Sequence, residues 1–597
     1  MQSSGKVDPI LTEVVANHLL SVSEEIGLTM IRAAHSPNIR ERRDCSTAIF
    51  DVNGQIIAQA PYIPMHLGSM VGLIGEVLKH VPLQELKSGD IFIANDPYNG
   101  GGAHLPDITL VSPVFYEGKL VAFVADIAHH ADVGGMVPGS ESAACTTIYQ
   151  EGLRMSPVPI NSALGEKDPV IQLIMLNSRT PEERLGDLQA QIAGLHVGVR
   201  RLQEVYDRFG SQNVSSSTEE FLNYSERRMR NLIKNLNKGT FVFEDYLDND
   251  GFNSDPILIK CTASVLDDEI ILDFKGTDKQ MASGKNIPMV ATLSVAYCLV
   301  KMLIDPDIPA NTGTYRSIKV YAPEGSVVNP KQPAAVGARA ISCGILGDVI
   351  AGALMQALPQ RALASSGPHS LSTFAGTDNV RHRTFVDYET VAGGYGARSY
   401  RDGMDAVRIH ASGAANLPVE SLELAYPMQV VRYELIQDGG GPGAFRGGLP
   451  VRRDTKMLTD DGTLSMSADR QSMSANGLNG GLSGRPGRFV LNPDTIDEKI
   501  LPSVGTGIPL QIGDVVSVCT PGGGGYGDPL SREASAVFQD VLDGRVSVEE
   551  SERSYGVIIR GDVLDQEATI IRRNKIKMFS FSFYNCAQCY NSIWFDC

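Results

Sequence analysis

A chain of 597 residues is far above the size at which one hydrophobic core stops growing, so about two to four domains are expected. A hydrophobic content of 43% and a charged content of 20% are those of an ordinary globular protein. The formal net charge of −17 argues against nucleic acid or an anionic membrane as partner, although a local basic pocket stays possible.

No uninterrupted apolar run reaches the roughly 18 residues of a membrane span, and "MQSSGKVDPILTEVV" lacks the charged-then-apolar layout of a signal peptide. Nine scattered cysteines fit reduced thiols, so a cytoplasmic location is expected.

The expected fold class is mixed α/β (α+β) and multi-domain. From Pro9 to about Ala34, Ile10, Val14, Leu19, Val22, Ile26 and Met30 recur near helical spacing, and Pro9 suits a first turn. "STAIFDVNGQIIAQA" reads as a hairpin turning at Asn53-Gly54. "HLGSMVGLIGEVLKHV" reads as one helix, "DIFIAND" as a strand, and "DITLVSPVFYEGKLVAFVADIAHH" as a second hairpin turning at Glu117-Gly118. Residues 181–236 are expected to be helical with a Ser-rich break at "SQNVSSSTEE", and 238–275 to be strands. "VATLSVAYCLVKMLI" is an apolar core helix, and 383–530 is rich in glycine and strand-like runs. The expected divisions are 1–235, a helix and hairpin domain holding the site; 236–380, mixed α/β; 381–570, glycine- and strand-rich; and 571–597, an atypical, poorly ordered tail. That tail holds Cys586-x-x-Cys589, which lacks the second pair a zinc site needs.

Two stretches carry chemistry. "NDPYNGGGAHLPD" (95–107) sets Asp96, His104 and Asp107 among three glycines and two prolines. "ADIAHHADVGG" adds Asp126, His129, His130 and Asp132. His104 and Asp107 stand just before one strand of the second hairpin and His129 just after its partner, so an antiparallel pair brings them to one end. Asp44 opens the first hairpin and is a candidate fourth ligand. A single histidine is more often a hydrogen-bonded structural residue; three such groups at one hairpin end favour a divalent metal, and mixed N and O donors suit zinc, manganese or iron over calcium. Arg40, Arg42 and Arg43 beside Asp44 are candidates to clamp a phosphoryl group, with a solvated charge run as the alternative. Gly522-x-Gly524-x-x-Gly527 imitates a dinucleotide fingerprint, but Asp528-Pro529 stands where the helix should begin, so a tight structural turn is the better reading.

The strings "DPILTEVVANHLLSVSEEIG", "SPNIRERRDCSTAIFD", "GDIFIANDPYNGGGAHLPDITLVSPVF", "ADIAHHADVGGMVPGS" and "CTPGGGGYGDP" resemble the hydantoinase B / oxoprolinase family, over about residues 7–530. The resemblance implies a metal on Asp44, His104, Asp107 and His129, with Asp126 and His130 as neighbours that orient the ligands or act as base. It implies a hydantoinase A-type ATPase subunit as partner in a larger hetero-oligomer, which phosphorylates a cyclic amide whose ring this chain then opens. The lack of a G-x-x-x-x-G-K-[ST] loop agrees with ATP being used by that partner. A ketone carboxylase subunit and a scaffold with a purely structural metal are the competing readings.

Overall fold

The computed structural model describes residues 8–60, 62–410 and 412–591, with only the backbone path for Leu67 and for 579–591. Its architecture is mixed α and β, with long helices laid over several separate sheets. The first sheet is antiparallel and contains β1 (Cys45–Phe50), β2 (Ile56–Ala60), β3 (Ile91–Ala94), β4 (Asp107–Tyr116), β5 (Lys119–His129) and β6 (Val158–Ile160). Their order is β2-β1-β5-β4-β3-β6.

Both faces of this sheet are buried. Helices Pro9–Ala33 and Pro181–Phe209 cover one, packing Val15, Leu19, Ile26 and Leu195 against Ile49, Ile108, Leu110 and Val124. Met70, Leu73, Ile74 and Val77 cover the other, against Phe50, Val111, Phe123 and Ile127. The second hairpin turns at Glu117 (φ 47°) and Gly118 (φ 76°), the two positive angles that a mirror-image two-residue turn requires.

Two expected helical features differ. The single helix over 66–81 is two pieces, His66–Ser69 and Leu73–His80, because Gly72 stands between them at φ 86°. The Ser-rich stretch is no break; the chain turns at Gly210, and helix Ser211–Lys234 begins with it.

A second sheet, ordered β10-β9-β8-β7, comprises β7 (Gly239–Leu247), β8 (Ile257–Val265), β9 (Ile270–Asp273) and β10 (Ile318–Tyr321). The apolar helix Met289–Ile304 and the nearly all-buried helix Arg339–Leu354 pack with it, as Val295, Leu299, Ile345 and Val349 meet Ile259 and Leu272.

Two further sheets follow. One orders β11 (Ser370–Asp378), β12 (Arg383–Val391), β15 (Gly462–Ser467) and β18 (Val504–Leu510) as β12-β11-β15-β18. The other orders β13 (Met428–Leu435), β14 (Val451–Met457), β16 (Arg488–Leu491), β17 (Lys499–Leu501) and β19 (Val515–Cys519) as β13-β14-β19-β16-β17. Helix Gln566–Asn591 extends into the atypical tail, and the side chains of Cys586 and Cys589 lie outside the described ones. Among the described residues no helix is long and apolar enough to cross a membrane.

The dinucleotide-like segment is neither a phosphate cradle nor a tight turn. Gly522, Gly523, Gly524 and Gly525 donate in succession to the carbonyls of Arg485, Gly448, Ser365 and Leu482, on three different stretches of chain. No two-sided strand ladder does this; the segment runs through the middle of a bundle of extended chains. A Cβ on Gly522 would stand 1.9 Å from Gly439 O, and one on Gly447 would stand 1.9 Å from Gly523 O. Glycine is needed here for close approach of backbones, since neither residue is among those with positive φ. Gly447→Ala and Gly523→Ala should each cost more than about 4 kcal/mol, as overpacking against rigid backbone. Gly75→Ala, in helix Leu73–His80 with nothing within 4 Å, should be neutral or slightly stabilising. Denaturant midpoints of the three variants check this.

Candidate metal centre

Asp107 is the first residue of β4 and His129 the last of β5, and the two are direct partners in the antiparallel register. Asp44 joins them from the strand alongside: Cys45 pairs with Ala128, and the His129 N–H donates to Asp44 O at 2.9 Å. His104 arrives on the glycine loop, its ring centroid 4.9 Å from that of His129. The four positions expected from the sequence therefore converge. His104, Asp107 and His129 are almost wholly buried, and Asp44 is 8% exposed.

The protonation pattern around His104 is informative. Its Nδ1 lies 2.9 Å from Gly337 O, a pure acceptor, so Nδ1 carries the proton and Nε2 is bare. That Nε2 faces Asp107 Oδ1 at 3.2 Å, and neither atom has a hydrogen-bond partner. Burial alone would raise the Asp107 carboxyl, but its neighbours, the Arg339 guanidinium among them, hold it well below the ordinary range, so it is ionised. Arg339 Nη2 donates to its other oxygen at 2.8 Å. Burial and then Arg339 push His104 down, which keeps the imidazole neutral. Two bare donors about 3.2 Å apart have the separation of two ligands sharing one ion at bonds of about 2.1 Å.

Glu141 was not foreseen from the sequence. Its Oε2 lies 3.9 Å from His104 Nδ1 and 3.9 Å from His129 Nε2, and both carboxyl oxygens are buried and unpartnered. One ligand atom from each of His104, His129 and Glu141 falls within 4.8 Å of the other two. His66, from the short helix His66–Ser69, adds Nε2 at 3.8 Å from Asp107 Oδ1. The residues present fit a divalent ion, because buried polar atoms left this way are costly unless something binds them.

Supporting contacts fix the rings. Asn38 Nδ2 lies 2.7 Å from His129 O and 3.1 Å from His129 Nδ1, and its Oδ1 accepts from Arg42 at 2.6 Å. Tyr388 stacks on the His129 ring at 4.4 Å. Arg42 also donates to Tyr388 O and Thr390 Oγ1, so it ties the segment before β1 to β12. Glu151 accepts from the N–H groups of Val336 and Gly337, and thereby steadies the Gly337 carbonyl that holds His104. Burial pushes that carboxyl up to about 8.

The other nominated residues stand elsewhere. Arg40 is exposed and pairs with Glu41 at 3.0 Å, and Arg43 is exposed with φ 55°. The helical turn Pro37–Arg40 sends Asn38 and Arg42 inward and leaves these two outside, so the cations lining the cavity are Arg339 and Arg408 instead. Asp126 points to the helix-covered face of the sheet, where Gln191 donates to it at 2.8 Å and Gln191 Oε1 accepts from His130 Nε2 at 2.9 Å. Neither lines the cavity, which does not suit a base that must reach water. Asp96 and Asp132 brace loops: Asp96 takes Arg154, while Asp132 takes Gly134, Gly139 and Arg179.

Burial and then Arg184 hold His130 down at about 4. A histidine depressed in the folded state leaves stability full above its unfolded value of about 6.5 and lowers it progressively as pH falls from there to about 4. The wild type should therefore lose stability relative to His130→Gln as pH falls from about 6.5 to about 4.5. Urea midpoints of both proteins at the two pH values check this.

Comparison with known proteins identifies the family. The Hydantoinase B/oxoprolinase family profile matches residues 8–529. The caprolactamase subunit beta of Pseudomonas jessenii is 32% identical, over 95% of this chain and 99% of its own length. The crystal structure of the ATP-dependent caprolactamase from that organism superposes with a TM-score of 0.86 at 30% identity, covering 96% of this chain and all of the matched one. A nucleotide-free acetone carboxylase gives a TM-score of 0.88 at 20% identity, over 96% of this chain and 84% of that one, a likeness of fold alone. The chain belongs to the hydantoinase B/oxoprolinase family.

Proposed function

We propose that this chain is the metal-bearing subunit of an ATP-dependent cyclic amide hydrolase. On this reading it opens the ring of an amide that a separate ATPase subunit has activated by phosphorylation. The observation that carries the reading is the set of buried, unpartnered donors on His104, Asp107, His129 and Glu141. The relative named caprolactamase subunit beta supports both the amide class and the need for a partner.

Amides resist water because resonance makes the carbonyl carbon a poor electrophile; phosphorylation of the oxygen removes that resonance. Asp44, His104, Asp107 and His129 would hold one divalent ion, and such an ion makes water acidic enough to act as a nucleophile near neutral pH. The chain's own groups set the rest. Arg339 keeps Asp107 ionised and turned inward. Gly337 fixes the His104 tautomer, and Asn38 and Tyr388 fix the His129 ring. Glu141, unpaired and 3.9 Å from His129, is placed to take a proton from water or to serve as a further ligand. The carboxylase reading shares this site and rests on fold alone, so ketones belong in the substrate panel.

His104→Ala and His129→Ala should each lose bound metal and ring opening while still assembling with the ATPase subunit. Losing a ligand should cost more than the roughly 10–100-fold typical of a residue that only orients one. A His196→Ala control should keep its metal. Elemental analysis, melting temperature and turnover on cyclic amides and ketones are the measurements. Full metal content in both variants would remove the assignment. Ring opening by the isolated chain would remove the need for a partner.

A further inference from the structure

Part of the cavity is left unexplained by the metal. Besides Asp44, His66, Asp107 and His129, its lining includes Arg339, His369, Tyr388 and Arg408. His369 is 3% exposed, and both ring nitrogens are buried without a hydrogen-bond partner. Buried imidazoles normally satisfy at least one nitrogen. Arg408 is only partly buried and has no carboxylate partner among the described residues. Its guanidinium reaches the Thr390 carbonyl and Ser412 Oγ, both neutral, and its Nε is buried with nothing to donate to. Arg339 has one arm on Asp107 and a buried, unpartnered Nε.

These atoms are donors without acceptors. Arg408 and Arg339 can only donate, and a neutral imidazole offers one N–H. Burial, followed by Arg408, Arg42 and Arg339, drives His369 well below its ordinary value.

Charge balance points the same way. Two carboxylates and two guanidinium groups line the cavity and offset each other. Glu141, beside the imidazoles, adds a third carboxylate to these, so a divalent ion would leave the site net positive and favour an anion. The cavity measures only about 30 Å³, room for one or two waters. A larger group enters by displacing Arg408, the lining cation held by neutral acceptors alone.

We propose that His369, Arg408 and Arg339 form an oxyanion-binding half-site that takes an anionic, tetrahedral group of the phosphoryl class beside the metal ligands. The proposal rests on the hydrolase reading for its purpose, since an O-phosphorylated amide brings such a group. It replaces the exposed Arg40 and Arg43 as the clamp.

Inorganic phosphate is the probe, and the full chain loaded with manganese or zinc is the material. Calorimetric titration at constant ionic strength should show saturable phosphate binding at or below about 10 mM, a range of weak but specific affinity. Acetate should compete poorly. His369→Gln and Arg408→Gln should each weaken phosphate binding by about 10-fold or more, the loss expected for a charge-assisted hydrogen bond. Both should keep the wild-type metal content, whereas Arg40→Gln and Arg43→Gln should bind phosphate as the wild type does. Metal loss in His369→Gln would make it a ligand and overturn the proposal, as would unchanged phosphate affinity in both cavity variants. If neither variant folds, a phosphate soak of wild-type crystals decides: density between His369 and Arg408 supports the half-site, and its absence there refutes it. Failure of ring opening with every substrate would defeat the hydrolase reading while leaving the phosphate results intact.

Discussion

Asp107 and His129 face each other across β4 and β5, and this register sets the position of nearly everything in the site. Side chains alternate along a strand, so a slip of one residue would turn His129 toward the helix-covered face. That face already holds Asp126, which is buried against Gln191 and pushed well above the usual carboxylate range by desolvation. The two faces thus assign different chemistry to neighbouring residues. One keeps an ionised carboxylate beside bare imidazole nitrogens; the other keeps a neutral acid and a neutral histidine. The Glu117-Gly118 turn and the buried apolar residues on both faces hold the register.

The site is expensive in folding terms, because buried donors and acceptors without partners oppose folding. Arg339 is the chief compensation within the chain, since it pairs with Asp107 from the start of a nearly all-buried helix. Glu141 has no such compensation, with both oxygens unpartnered. That imbalance argues for an ion more strongly than the count of ligands does. A purely structural metal would saturate its ligands; here the unpaired atoms extend past the carboxylate–imidazole cluster to His369 and Arg408.

How much of this the sequence revealed follows from separation along the chain. His104, Asp107 and His129 lie within 26 residues on one hairpin, so strand pairing alone predicted their meeting. Asp44 entered through the family resemblance and an adjoining hairpin. Arg339, His369, Tyr388 and Arg408 come from more than 200 residues further on, and no local period marks them. Glu141 lay beyond the end of the recognised "ADIAHHADVGGMVPGS" string. The arginines beside Asp44 were misjudged because adjacency in sequence does not fix direction; the short turn Pro37–Arg40 buries Arg42 and exposes Arg40 and Arg43. The site is also not confined to the first 235 residues, since the cavity is walled by both the N-terminal sheet and later segments.

The glycine bundle explains how distant segments can wall one cavity so closely. Glycine runs read as turns when positive φ is the reason for them, and here the reason is contact between backbones. Gly367 donates to Gly394 O, and two residues later the chain presents His369. Gly393 packs on Gly367 just after Thr390, and Gly403 packs on Gly448 a few residues before Arg408. His369, Thr390 and Arg408 thus each stand within a few residues of a glycine packed on another backbone. A backbone held by backbone has few alternative arrangements, which suits residues whose donors must stay aimed at a small polar cavity. The same tightness leaves adaptation to the side chains, and Arg408, with neutral anchors and partial exposure, is the lining cation least constrained against it.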